Sequence, residues 1–296
     1  MSGKCRVAVL FVVFGLSNNV TADWECMNNH TSMKSWQRDM DYSVDREELL
    51  TFANQMDFEN WSSKRNWKEH NVSFCDWEGI CCEFDGVHNR LTEMHLERNR
   101  LRGSFHESFV RAMSKIKVLN FHLNFITNFP PHMHTFKDLQ QAKFGRNPIC
   151  GNLSPKFALL SKLTKFNCNF CCLSGPFPDL FGNMKNLEET FWDGNNFTGP
   201  IPSSLGKATN LTKVSFNLNS MTSSIPEDLC NLQLVHDCRI GGDTDFAPYD
   251  TTPGSPEKAW LLNWSGNVFT CPMAKCVTTG PCNGKKATPA SPLICK

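Results

Sequence analysis

The sequence predicts an α/β repeat solenoid: a curved parallel β-sheet on the concave face, with short helices or 3-10 turns on the convex face. Three observations predict it. One eleven-residue pattern, LxxLxLxxNxL, recurs six times at almost constant spacing. Several copies are followed by Gly or Pro turn signals and a short return. A Trp- and Cys-rich segment precedes the first copy, where the open end of a stack would need sealing.

The copies begin at Leu91, Ile116, Leu139, Leu163, Leu187 and Leu211, in steps of 25, 23, 24, 24 and 24 residues. The first reads Leu91, Met94, Leu96, Asn99, Leu101 and the second Ile116, Leu119, Phe121, Asn124, Ile126. The third reads Leu139, Ala142, Phe144, Asn147, Ile149 and the fourth Leu163, Phe166, Cys168, Cys171, Leu173. The last two are Leu187, Thr190, Trp192, Asn195, Phe197 and Leu211, Val214, Phe216, Asn219, Met221. Around the LxL core the side chains alternate, so the Leu-type positions of a short strand turn inward and their neighbours outward. Stacked copies bury together what one copy cannot bury alone. The Asn at the strand's end satisfies backbone groups that the bend leaves unpaired, which makes Asn99, Asn124, Asn147, Asn195 and Asn219 a structural ladder. Cys171 stands in for Asn in the fourth unit.

Gly175-Pro-Phe-Pro178, Gly199-Pro-Ile-Pro202 and Ile225-Pro226 follow the later units, and Gly103 follows the first. Gly permits the sharp turn and Pro ends strand pairing. Segments such as 203–211 then return over the convex side.

The wording LxGxIPxxLGxLxxL resembles the plant-type leucine-rich-repeat family, which includes receptor-kinase ectodomains and the polygalacturonase-inhibiting proteins. The resemblance covers roughly residues 45–235. Trp67 and Cys75-Asp-Trp77-Glu-Gly79-Ile-Cys-Cys82 are similar to the family's N-terminal cap, with one extra adjacent cysteine, Cys81. Before them, Asp45-Arg-Glu-Glu48-Leu-Leu-Thr-Phe-Ala53 reads as an amphipathic helix with Asp45 and Glu48 in capping-box positions. The family's two cap disulfides imply the pairings Cys75–Cys82 and Cys26–Cys81. Sequence alone does not fix connectivity.

These readings divide the chain into a signal peptide (1–22), an N-terminal cap (23–90), about six repeats (91–240) and a C-terminal cap with a Cys-rich tail (241–296). Lys4 and Arg6, the apolar run Val7–Leu16 and the small residues Val20-Thr21-Ala22 make the secretory signal. That run is too short to span a bilayer, and no later stretch is long enough. The C-terminus lacks the hydrophobic tail of a lipid-anchor signal. The chain holds 15 cysteines, of which Cys5 lies in the signal; the remaining even set, in an exported chain, predicts disulfides. Cys230 and Cys238 flank the last repeat material as a possible closure. Seven sequons predict glycosylation at Asn29, Asn60, Asn71, Asn152, Asn196, Asn210 and Asn263. None falls on an outward strand position.

Charge points to no polyelectrolyte partner. The formal net charge is +1, and without Lys4 and Arg6 it is 28 basic against 29 acidic residues, or −1. No basic patch predicts nucleic acid. Cys168-x-x-Cys171-Cys172 has metal-ligand spacing, but both outer residues occupy inward repeat positions, so a buried cysteine or local disulfide is the better reading. His132-Met-His134 reads as a solvated loop pair. No phosphate loop, nucleophile elbow or HExxH is present, and no carboxylate pair is set by the repeat. The expectation is a non-enzyme with no metal and no cofactor.

Function on a repeat scaffold sits where outward residues of successive strands align. The phase assigns the concave face to His95 and Arg98, Asn120 and His122, Lys143 and Arg146, and Asn167, Asn169 and Phe170. Phe191, Asp193 and Asn217 complete it. Phe170 and Phe191 are expected as neighbouring exposed aromatics beside Asp193, and aromatics and Arg are favoured interface anchors. Asp193→Ala is therefore expected to weaken binding without lowering stability. The predicted function is a secreted recognition protein for an extracellular protein or peptide. As the resemblance implies, the partner could be a polysaccharide-associated hydrolase that it inhibits. The alternative is a disulfide-linked wall or matrix component.

Overall fold

In the computed structural model, the described residues are 41–232, 234, 235, 237–240 and 267. The predicted signal, Cys26, Asn29, Asn263 and nearly all of the Cys-rich tail lie outside them. The strands, in chain order, begin with β1 (Ile80–Phe84), β2 (Asn89–His95), β3 (Arg102–Gly103), β4 (Val118–Asn120), β5 (Phe125–Ile126), β6 (Gln141–Lys143) and β7 (Cys150–Asn152). They continue with β8 (Lys165–Asn167), β9 (Cys172–Pro176), β10 (Glu189–Phe191), β11 (Asn196–Gly199), β12 (Lys213–Ser215), β13 (Ser220–Met221) and β14 (Asp237–Arg239).

The even-numbered repeat strands build the concave sheet, in the order β1-β2-β4-β6-β8-β10-β12-β14. All neighbours are parallel except β1, which pairs antiparallel with β2 and closes the first edge. Registers are in phase across the sheet: Met94, Leu119, Ala142, Phe166, Thr190, Val214 and Cys238 follow one another as Cα partners. Past each bend a second parallel ladder forms from β7, β9, β11 and β13, with β3 and β5 paired separately. The convex returns are 3-10 turns, for example Pro155–Leu159, Ser203–Lys207 and Glu227–Asn231. Ser154 caps the first of these by accepting from the Lys156 N–H.

The core is unusually aromatic for this pattern, and its volumes compensate within a unit. Ala142 is paired with Phe144, Phe166 with Cys168, and Thr190 with Trp192, all buried. Phe166 stacks on Trp192 with ring centroids 4.6 Å apart. A small residue at one inward position thus makes room for a large one at the other, as close packing demands.

The Asn ladder takes the predicted role. Asn147 accepts from the Ile126 N–H at 3.0 Å and donates to the carbonyls of Phe121 and Phe144, both at 2.8 Å. Asn195 and Asn219 repeat the pattern two and three units on. In the fourth unit, where Cys171 replaces Asn, a Cys168–Cys171 disulfide links the ladder position to the inward residue three before it. A covalent side-chain link therefore replaces the hydrogen bond that Asn makes to the carbonyl of that same position. Cys150–Cys172 joins the registered partners of β7 and β9.

The cap seats Phe58, Trp61, Trp67 and Trp77 on one another, with Trp61–Trp67 and Trp67–Trp77 centroids each 4.9 Å apart. Cys75–Cys82 is bonded as the resemblance implied, and Cys81 is disulfide-bonded as well. One expectation is corrected. Helix α1 (Ser43–Gln55) starts three residues earlier than the capping-box reading, with Tyr42 at its N-cap and no side-chain cap bond. Asp45 lies buried inside the first turn and accepts from Arg90 Nε at 3.1 Å and from the Leu91 N–H at 3.0 Å. It ties the cap to the first repeat rather than capping the helix.

The far end adds a seventh rung. β14 extends the concave sheet, and Asn267 performs the ladder's work there. It accepts from the Met221 N–H at 2.9 Å and donates to the carbonyls of Phe216 and Ile240 at 2.8 and 2.9 Å.

Candidate functional site

The parallel register arranges the outward side chains in rows. One row runs His95, Asn120, Lys143, Asn167, Phe191, Ser215; a second runs Glu93, Val118, Gln141, Lys165, Glu189, Lys213. Just past the strands comes a bend. Arg98, Leu123, Arg146, Phe170, Gly194 and Leu218 all adopt a left-handed backbone, with φ between +52° and +64°. These are the residues immediately before each ladder position, so every unit bends at the same place.

Of the predicted face, Arg98 is exposed and His95, His122, Lys143, Arg146, Asn167, Asn169 and Phe191 are partly exposed. Four assignments are corrected: Asn120, Phe170, Asp193 and Asn217 are at most 8% exposed. Their phase is as expected, but neighbours cover them. Asn120 donates through Nδ2 to Glu97. Phe170 does not stand beside Phe191. Its left-handed backbone lays the ring over Gly194, where even a Cβ would overlap the ring, and the Arg146 guanidinium covers it at 4.7 Å from the centroid. Asp193 accepts from the Ser215 hydroxyl and, at 3.2 Å, from the Asn217 N–H. It fastens the fifth unit to the sixth.

The remaining polar groups divide by charge balance. In units four to six, Glu189 lies between Lys165 and Lys213, 3.4 and 3.0 Å away. Burial pushes its carboxyl up, but these lysines outweigh that and hold it below the usual carboxylate range. In units one to three the balance is different. His95 Nε2 meets Glu93 at 2.8 Å, but His122 lies among Arg146, Arg98 and Lys143. Burial, with those three cations added, pushes its pKa down to about 4. Lys143 is half-buried, and burial first and Lys165 next pull its pKa down against the opposing pull of Glu97 and Glu189.

Gly145 is buried. A Cβ there would overlap Asn169 Oδ1 and lie 2.6 Å from Asn167 Oδ1 and 2.9 Å from His122 Nδ1. Three polar side chains thus fill the space over one glycine. Sequence phase placed Gly145 on the outward face, but the side chains of His122, Asn167 and Asn169 cover it. Glu97 and Glu189, which set the charge balance, also lay on outward positions and were not singled out.

Cys81, Glu93 and His95 bring three metal-ligand atom types within 4.8 Å of one another. Cys81 is disulfide-bonded, so it offers no thiolate there. The five described sequon residues, Asn60, Asn71, Asn152, Asn196 and Asn210, are all exposed and none is on the concave rows. Among the described residues, no helix is long and apolar enough to cross a membrane.

Comparison with known proteins agrees with this architecture. Residues 162–184 match the family model described as Leucine Rich Repeat. No curated protein matches the chain. Among solved structures, the ectodomain of the Arabidopsis receptor kinase HAESA, in complex with an N-terminally extended IDA peptide hormone, is similar with a TM-score of 0.59 and 23% identity. That match covers 68% of this chain and 33% of the other. The ectodomain of the Arabidopsis thaliana receptor kinase GASSHO1/SCHENGEN3, in complex with CASPARIAN STRIP INTEGRITY FACTOR 2, gives a TM-score of 0.55 and 21% identity over 67% of this chain and 26% of that one. A plant ice-binding protein gives 0.59 and 20%, over 68% of this chain and 62% of the other. The chain spans about a quarter to a third of the length of the two receptor ectodomains. The shared feature is the leucine-rich-repeat fold in its plant-type form.

Proposed function

We propose that this leucine-rich-repeat solenoid is a secreted, glycosylated recognition protein that binds a protein or peptide through the first four units of its concave face. The observation that carries the reading is the uneven charge balance of that face. Arg98, His122, Lys143 and Arg146 are drawn together, whereas Glu189 lies between Lys165 and Lys213. A repeat sheet that only needed solvating would gain nothing from a half-buried lysine whose charge is disfavoured by burial. Solved neighbours of the same fold are complexes with peptide hormones, and the five described sequons would leave the rows clear of glycan.

The disulfide-linked matrix alternative is less well supported. Eight cysteines, including Cys81 and Cys230, are already in disulfides, so they are not available for cross-links between chains. Inhibition of a secreted hydrolase would be one use of the same face, docked over an enzyme's cleft.

The test is affinity capture from extracellular fluid with the full chain secreted from a eukaryotic host. A matched bait carries Arg98→Gln and Lys143→Gln. A partner retained by the first bait and lost from the second supports the reading and identifies the class of ligand. Equal capture by both baits overturns it. If the captured partner is a hydrolase, its rate with and without the chain decides whether it is inhibited.

A further inference from the structure

Lys143 differs from every other described lysine. The others that are half-buried each hold a partner. Lys64 reaches the carbonyls of Phe58 and Glu59, Lys68 reaches Asn54 Oδ1, Lys117 reaches Glu83, and Lys165 and Lys213 bracket Glu189. Lysines without a partner, such as Lys137 and Lys185, are exposed. Lys143 alone among the described lysines is half-buried and makes neither a hydrogen bond nor an ion pair. Its neighbours along the row are already committed: Asn120 donates to Glu97, and Asn167 Oδ1 takes the Asn169 N–H at 2.9 Å.

The charged and titratable groups around this amine come from five units. They are Arg98 and Glu97 from the first, His122 from the second, Arg146 from its own, Lys165 from the fourth and Glu189 from the fifth. Burial first, and Lys165 next, favour the neutral amine; Glu97 and Glu189 oppose them without reversing the outcome. A neutral lysine carries the electron pair that attacks a carbonyl carbon, and desolvation beside other cations is how such an amine is prepared. Arg98 is exposed, and it and Lys143 both lie close enough to His122 to disfavour its protonation. A small anion is therefore drawn to the place where the amine waits.

We propose that Lys143 is a covalent capture site for small 2-oxo acids, of which glyoxylate is the simplest: the amine condenses with the carbonyl while Arg98 meets the carboxylate. The nitrogen electron pair forms the C–N bond. The carbonyl oxygen leaves as water with both N–H protons of the neutral amine, and the product is an imine. No oxidant or reductant takes part, and water reverses the step. The proposal goes beyond the recognition reading above and does not depend on which partner that face binds.

The test treats the full secreted chain at pH 7 with limiting glyoxylate and cyanoborohydride, which reduces the imine to a stable secondary amine. Peptide mass spectrometry then reads the occupancy of each lysine. Lys143 should carry about tenfold more label than Lys137 or Lys185, because each unit taken off an amine's pKa raises its neutral fraction at pH 7 about tenfold. That advantage should shrink toward pH 10, where ordinary lysine amines also lose their protons. Glycolaldehyde, equally short but without a carboxylate, should show a smaller preference, and Arg98→Gln should bring glyoxylate labelling of Lys143 down to that level. Label spread evenly over the exposed lysines, or a Lys143 labelled less than they are, overturns the site. Equal preference with both aldehydes, or labelling indifferent to Arg98→Gln, overturns the assignment to 2-oxo acids. The first comparison is made within the wild-type chain, so it stands whether or not the variant folds.

Discussion

The two halves of the concave sheet obey one repeat rule and end up chemically unlike. In units five and six, carboxylates tie one unit to the next: Asp193 holds the Ser215 hydroxyl and the Asn217 N–H, and Glu189 sits between Lys165 and Lys213. In units one to three, the cations crowd His122 instead of bracketing a carboxylate. The difference teaches that an outward register position is a necessary condition for binding and not a sufficient one. What matters is whether the neighbouring unit has already used the group.

The comparison can be tested by four changes, taken in falling order of effect. His122 belongs to the unsatisfied half. Its folded pKa of about 4 lies below its unfolded value of about 6.5, so below pH 6.5 the unfolded chain binds the extra proton. Stability present at pH 7 should fall by about 3 kcal/mol as the pH drops to 4. Denaturant titrations on wild type and His122→Asn should show that the variant loses less over this range. Equal losses would mean that the ring is not enclosed by those cations.

Asp193→Ala should cost about 2 kcal/mol, by stranding the buried Ser215 hydroxyl and Asn217 N–H, and lower the melting temperature without changing affinity per folded molecule. This reverses the expectation from sequence phase alone. An affinity loss with unchanged melting would restore it. Glu189→Gln should cost about 0.5 kcal/mol, since its ion pairs with Lys165 and Lys213 are partly exposed. A loss of about 2 kcal/mol or more in a denaturant titration would show that this carboxylate holds the two units together by more than exposed pairing. Lys143→Gln should shift stability by less than about 0.5 kcal/mol in either direction, because it removes a cation without a partner. A large loss of stability would place Lys143 in the satisfied class.

Much of this was legible in the sequence. Periodicity placed the concave strands β4, β6, β8, β10 and β12, because an inward Leu-type position every second residue admits only one phase; the second ladder past the bend was not anticipated. The ladder Asn residues followed from the same count. Three things did not. Asp45 fits a capping box by spacing, yet Arg90 and the Leu91 N–H offered it buried partners that local pattern does not contain. Phe170 and Asp193 were outward by phase but covered by the next unit, and cover depends on what that unit carries, here Gly194 and Ser215. Asn267 was missed because stepping 24 residues from Leu211 puts the next ladder position at Asp243. A signal was available nonetheless. Leu262-Asn-Trp264-Ser-Gly-Asn267-Val-Phe269 carries the spacing of Thr190-Phe-Trp192-Asp-Gly-Asn195-Asn-Phe197, and matching the motif instead of the period would have found it.

The left-handed residue before each ladder position has a consequence for how such a face changes over time. An L-residue there loses roughly 1–2 kcal/mol against a right-handed conformation, and glycine, as at Gly194, does not. Glycine also presents no functional group. Each rung therefore chooses between conformational ease and a side chain aimed at the ligand. If the proposed recognition role holds, Arg98 and Arg146 are the positions where a functional side chain would be kept despite that cost. A solenoid drifting toward maximal stability would accumulate glycine at these bends and grow blind, while one under selection for recognition would keep its strained arginines.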